Sequence, residues 1–177
     1  RTSPPAARNY RDYYDSSRAA IWVAVPGAFV ERNAAIKAGG FRLGEGNYEE
    51  TDLWMRLGVA HGFIQIQSPA CFARRWHDQN ITHAWAANVL GVEHMLAHER
   101  SGAYPGGSAR RRERWRILTA HVRSLSVDLA RRNHRQPAWH LYRATFFWQL
   151  ALGRVRYLLG LPLLCLRRRD RDRWEDS

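Results

Sequence analysis

Residues 39–56 read Gly-Gly-Phe-Arg-Leu-Gly-Glu-Gly-Asn-Tyr-Glu-Glu-Thr-Asp-Leu-Trp-Met-Arg, and the placing of glycines, acids and apolar residues here decides how the surrounding chain folds. Gly39-Gly40 closes a short helix expected over Asn33 to Ala38, because a glycine past the last turn takes the left-handed conformation without steric cost. Phe41 to Tyr48, with Gly44 and Gly46 inside it, reads as a loop. From Glu49 the pattern turns helical: Leu53, Trp54, Leu57 and Ala60 share one face, which predicts a helix over 49–60. Glu49, Glu50 and Asp52 then lie in its first turn, where the helix dipole favours negative charge. Asn47 and Glu50 are spaced like a reciprocal cap. Asp52 and Arg56 are spaced as an ion pair one helical turn apart.

Working outward, Ile21 to Val25 is a β-branched run stopped by Pro26-Gly27, and Ala28 to Arg32 is a second extended segment. Residues 1–20 read as a loop entering a short polar helix. Downstream, Phe63 to Gln67 alternates like a strand and Ala70 to Trp76 reads as another. From His83 onward no strand signal survives. Helices are expected over His83 to Arg100, over Arg110 to Arg132 and from Pro137 onward. In the second of these, Trp115, Leu118, Val122, Leu125 and Leu129 recur at helical spacing and predict a packing stripe. The expectation is therefore two parts, a mixed α/β region over residues 1–82 and a helical extension over 83–177.

The formal charge is unevenly distributed along the chain. Residues 1–109 hold 11 Lys+Arg against 10 Asp+Glu, whereas residues 110–177 hold 17 against 6, a net of +11. Attraction to phosphates therefore belongs to the last third of the chain. A hydrophobic content of 45% with 8 Trp argues for packed structure and against disorder. Cys71 and Cys165 fit no metal or redox spacing and read as reduced thiols. His94 and His98 share one helix face, but no third ligand accompanies them. The first twenty residues are polar and Arg-rich, unlike a leader peptide. The apolar stretch Phe146 to Leu166 is interrupted by Arg154 and Arg156, which argues against a spanning helix.

In their order, these elements resemble the second half of family 2 glycosyltransferases. That family runs Gly-Gly-Phe, a loop, Glu-Asp-x-Asp-Leu-x-x-Arg, and then a strand with Arg and a His. Here Gly39-Gly40-Phe41, Glu49-Glu50-Thr51-Asp52-Leu53-Trp54-Met55-Arg56 and Arg74-Arg75-Trp76-His77 hold those positions. The resemblance covers residues 20–82 in detail and the helical part loosely. It implies the C-terminal, acceptor-side half of a GT-A-like mixed sheet with flanking helices, followed by an all-α extension.

It also implies a chemistry: transfer of a sugar, with inversion, from a nucleotide-diphosphate donor to the hydroxyl of a glycan or lipid-linked acceptor. Such a transfer needs a carboxylate to take the acceptor proton, and positive charge, usually a divalent metal, on the departing diphosphate. The resemblance gives Glu50 as that base, standing where the family usually has the shorter Asp. Glu49 and Asp52 would bind acceptor, Arg74 and Arg75 the diphosphate, and His77 the metal. The Mg or Mn ion would be bound largely by a nucleotide-binding half missing from this chain, so the isolated chain is expected to be inactive.

The arginine-rich helices carry a second reading, a basic module for nucleic acid or an anionic membrane surface. No nucleic-acid motif accompanies them, so nucleic acid is the weaker partner. A membrane surface is compatible with sugar transfer, and the combined expectation is a cytoplasmic protein able to lie at the inner face of the membrane.

Overall fold

The computed structural model describes residues 6–19, 27–42, 44, 46–68 and 84–166. Among these residues the regular structure is two strands, β1 (Ala6–Tyr10) and β2 (Phe63–Ser68), and six α-helices, with short 3-10 turns at Tyr14–Arg18 and Ser108–Arg110. The helices are α1 (Arg32–Lys37), α2 (Glu49–Arg56), α3 (Trp85–Ser101), α4 (Arg111–Arg131), α5 (Arg135–Ala151) and α6 (Val155–Leu166). The chain divides into two compact units, Arg1–Ala120 and His121–Ser177.

The expected mixed α/β architecture is overturned. Among the described residues the sheet is a two-stranded antiparallel ribbon, Tyr10 opposite Phe63 and Ala6 opposite Ser68, and the rest of the regular structure is helical. One reason lies at Ala28 to Arg32, expected to be extended. Glu31 there caps α1, its carboxylate accepting from the backbone N–H groups of Asn33 and Ala34 at 2.9 and 2.8 Å. A residue spent on starting a helix does not continue a ladder. The segments Ile21 to Val25 and Ala70 to Trp76, also expected as strands, lie outside the described residues. β1 takes the place of the loop expected near the N-terminus.

In the first unit the core is built around Tyr14, which is fully buried. Its hydroxyl donates to the carbonyl of Met55 at 2.6 Å, satisfying the one polar atom that burial would otherwise strand. Its ring lies so close to Gly58 that a Cβ there would sit 2.0 Å from Cζ, and α2 stops at Arg56, short of the Ala60 end expected from the sequence. The guanidinium groups of Arg110 and Arg114 lie 5.6 and 6.0 Å from the centre of the Tyr14 ring. Arg110 donates from both terminal nitrogens to Asp12, at 2.8 and 2.6 Å. Burial pushes the Asp12 carboxyl up, but Arg110 and the Asp15 N–H outweigh it and hold it below its ordinary value. Arg114 pairs with Glu99 and also donates to the carbonyls of Pro105 and Gly107, fixing the loop between α3 and α4.

In the second unit, Val122, Leu125 and Leu129 are buried from the packing stripe expected in α4. α5 buries Ala138, Leu141, Tyr142, Thr145 and Gln149, and α6 buries Tyr157, Leu161 and Cys165. α5 packs on α6, with Tyr142 donating to the Leu158 carbonyl at 3.0 Å and Ser126 bonded to the Tyr157 hydroxyl at 2.9 Å. The stretch from Phe146 to Leu166 is two helices, not one: α5 ends at Ala151, and Gly153 at φ +66° turns the chain into α6. Among the described residues no helix is long and apolar enough to cross a membrane.

Candidate active site

The acids at the start of α2 occupy three different environments. Glu49 is exposed, Glu50 is half-buried and Asp52 is 4% exposed. Helical geometry produces this division. Asp52 falls on the same side as the buried Met55, while Glu49 and Glu50 stay at the N-terminal edge with the positive end of the dipole.

Asp52 is held from three directions. Its Oδ2 accepts from Arg56 Nε at 2.8 Å, and its Oδ1 accepts from the Tyr104 hydroxyl at 2.7 Å and from His98 Nδ1 at 3.1 Å. Burial pushes this carboxyl up, yet the bonds from Tyr104 and Arg56, the Arg56 charge and His98 together hold it below its usual value. The same contact acts oppositely on Tyr104, whose hydroxyl is raised far above the ordinary range by burial and by the neighbouring carboxylate. His98 Nε2 faces Arg42 Nη1 at 2.8 Å. With a proton on Nδ1 the ring accepts from Arg42 and donates to Asp52.

Arg56 joins the two halves of the motif read in the sequence. Besides Asp52 it donates to the carbonyls of Ala38 and, at 2.7 Å, Gly40. Gly39 and Gly40 both take positive φ, +86° and +60°, which turns those carbonyls toward the guanidinium. The conjunction of Gly-Gly with Asp-Leu-x-x-Arg thus has a physical content: the arginine bonds to the glycine turn and to the aspartate at once.

The acidic doublet is approached through a strained residue. Tyr48 precedes α2 at φ +77°, a left-handed conformation that costs a non-glycine residue of order 1–3 kcal/mol. The loop before it is pinned to α3 by Asn47, whose N–H donates to the Ala87 carbonyl at 3.0 Å and whose side-chain amide donates to Asn88 Oδ1 at 2.7 Å. Asn47 is therefore engaged with α3, and the side chain of Tyr48, at the cap position of α2, makes no cap bond. Gly91 makes the approach possible, since a Cβ there would lie 1.5 Å from the Asn47 carbonyl oxygen.

Of the residues given site roles by resemblance, Glu49 and Glu50 lie together at one helix start. Asp52 stands apart from them: both its oxygens are engaged within the protein, so it anchors the helix and presents no open face to an acceptor. Arg74, Arg75 and His77 lie outside the described residues. Sequence reading missed Arg42, His98 and Tyr104 as partners of this cluster; they are 46 and 52 residues from Asp52 in the case of His98 and Tyr104, and no local pattern links them.

Among the described residues no group of three or more His, Cys, Asp or Glu side chains is placed to hold a metal ion. Asp52 and His98, 3.1 Å apart, are taken up by donors of the chain itself and do not fit that role. No protein-family model, curated protein or solved structure matches the chain.

Proposed function

We propose that this chain is the acceptor-side part of a glycosyltransferase that moves a sugar, with inversion, from a nucleotide-diphosphate donor to an acceptor hydroxyl. The donor is held by a segment outside these 177 residues. Glu50 is the base. The acceptor hydroxyl gives its proton to the Glu50 carboxylate while its oxygen bonds to the anomeric carbon. The bond from that carbon to the nucleotide diphosphate breaks, and its electron pair leaves with the diphosphate. Glu49, one residue earlier and exposed, orients the acceptor, and Arg74 and Arg75 supply charge toward the diphosphate in the same reading.

The observation that carries this reading is the division of labour in the first turn of α2. A general base must be reachable by substrate and fixed in position. Glu50 is half-buried on a helix start that Asp52, Arg56, Tyr104 and His98 lock from behind and that Asn47 pins from the front. The exposed apolar side chains of Phe29, Val30, Phe41, Ile64 and Ile66 in the first unit give a donor-binding segment somewhere to pack.

The test is a transfer assay on the protein expressed with its flanking coding sequence. Incubation with a panel of uridine, guanosine and thymidine diphosphate sugars and mixed acceptors should release nucleoside diphosphate and add the sugar mass to an acceptor. No turnover of any donor in the panel would sink the proposal.

A further inference from the structure

α6 is apolar on two sides. Tyr157, Leu161 and Cys165 are buried, while Val155, Leu159, Leu163 and Leu166 are 57–71% exposed. At about 100° per residue, these four exposed side chains fall within an arc of roughly 80°, centred nearly opposite the buried three. They form one continuous ridge on the outer side, where a helix of a water-soluble protein ordinarily places polar residues. Phe147 and Leu150, at the end of α5, are exposed as well.

Within residues 135–166, which hold α5 and α6, the charges are all of one sign. Residues 135–166 contain four arginines (Arg135, Arg143, Arg154 and Arg156) and no aspartate or glutamate. Arg143, Arg154 and Arg156 are exposed. Arg156 projects roughly 20° from Leu163 around the α6 axis, at the border of the ridge. An arginine at such a border lays its methylenes along apolar surface and carries its guanidinium outward, where a phosphate accepts two of its N–H groups. A protein partner would need an apolar groove rimmed by acids. A bilayer containing anionic lipid offers the same pairing of apolar interior and negative rim over an unlimited flat area, which suits an apolar ridge with an arginine at its border. α6 has 12 residues and is therefore about 18 Å long, well short of the roughly 30 Å hydrocarbon core. It can lie in the interface but not cross.

We infer that the outer face of α6 docks on an anionic membrane surface, with Val155, Leu159, Leu163 and Leu166 in the acyl boundary and Arg156 at the lipid phosphates. Apolar burial and charge act together, so neither alone holds the protein. This inference stands apart from the transferase reading and does not depend on it.

The experiment is sedimentation of the full chain with phosphatidylcholine vesicles, with and without phosphatidylglycerol. The chain should bind the phosphatidylglycerol vesicles at least about tenfold more tightly than the neutral ones and release as salt rises. The double variant L159E/L163E should lose about tenfold or more of that binding, because two carboxylates enter the acyl boundary and repel the lipid phosphates. Its thermal midpoint should stay near that of the parent, since both positions are exposed. The triple variant R143Q/R154Q/R156Q should bind both vesicle types alike and weakly. Equal binding of the parent to both vesicles, or binding to neither, would overturn the inference. So would full binding by L159E/L163E, which would leave charge alone as the cause and extend to DNA or RNA. A concentration-dependent dimer abolished in L159E/L163E would assign the ridge to a second copy of the chain and overturn it equally.

Discussion

Tyr104 donates its hydroxyl to Asp52 Oδ1 at 2.7 Å, tying the loop after α3 to the first turn of α2. Asp52 is 4% exposed, so the bond lies where an unmatched oxygen is costly. Tyr104→Phe should therefore destabilise the first unit by about 1–3 kcal/mol. Asp52→Asn should cost about 3–5 kcal/mol, because it leaves the buried guanidinium of Arg56 without its counter-charge. Urea unfolding of the two single variants and the double variant measures both costs. The double variant should cost less than the sum, since the two changes remove one shared bond. Strict additivity would show that the two groups do not interact.

Two glycines in helices should respond in opposite directions to the same substitution. Gly91→Ala drives a Cβ into the Asn47 carbonyl, whose backbone cannot swing aside, and should destabilise by about 2–3 kcal/mol or more. Gly160→Ala meets nothing within 4 Å, so it should stabilise α6 by up to about 1 kcal/mol. Thermal melts of the two variants against the parent check the pair. A neutral Gly91→Ala would remove the close contact between α3 and the loop that leads into α2.

Acid should weaken the second unit before it reaches the Asp52 cluster. His121 is buried, and burial lowers its pKa from 6.5 to about 4. With the folded value below the unfolded one, the unfolded chain binds more protons between those limits. Stability is thus fully present above about pH 6.5 and falls by about 3 kcal/mol as the pH drops toward 4. Asp12 and Asp52 are lowered from 3.8, so their contribution is lost only on further acidification. Hydrogen exchange across pH 7 to 4 should show α4 and α5 of the second unit losing protection first, and His121→Gln should flatten that dependence.

Local signals in the sequence marked most of the helices and β2, but not the end of α2 at Arg56, the break between α5 and α6, or β1. Gly39-Gly40 marked the end of α1, and the stripe through Val122, Leu125 and Leu129 marked α4, because each depends on spacing within one element. β1 had no such signal: Ala6 to Tyr10 carries one aromatic and no alternation, and it is a strand because β2 lies beside it. The expected α/β layering failed for a related reason. It extended the order of elements in a resembling family to segments whose pairing partners no local pattern fixes. At the site, the acids could be located from the run Glu49-Glu50-Thr51-Asp52, but their roles could not. What separates Asp52 from Glu50 is contact with Tyr104 and His98, residues brought up by the α3 packing from far along the chain.

The most direct measurement of the central claim is sugar transfer by Glu50→Gln, made in the protein with its flanking coding sequence and compared with Glu49→Gln. Glutamine keeps the size of Glu50 and removes its basicity, so turnover should fall by about two to four orders of magnitude in a protein that still folds. Glu49→Gln should lose less and act mainly through KM for the acceptor. A Glu50→Gln protein that folds normally and turns over within about twofold of the parent would contradict the assignment, because an amide cannot act as the general base.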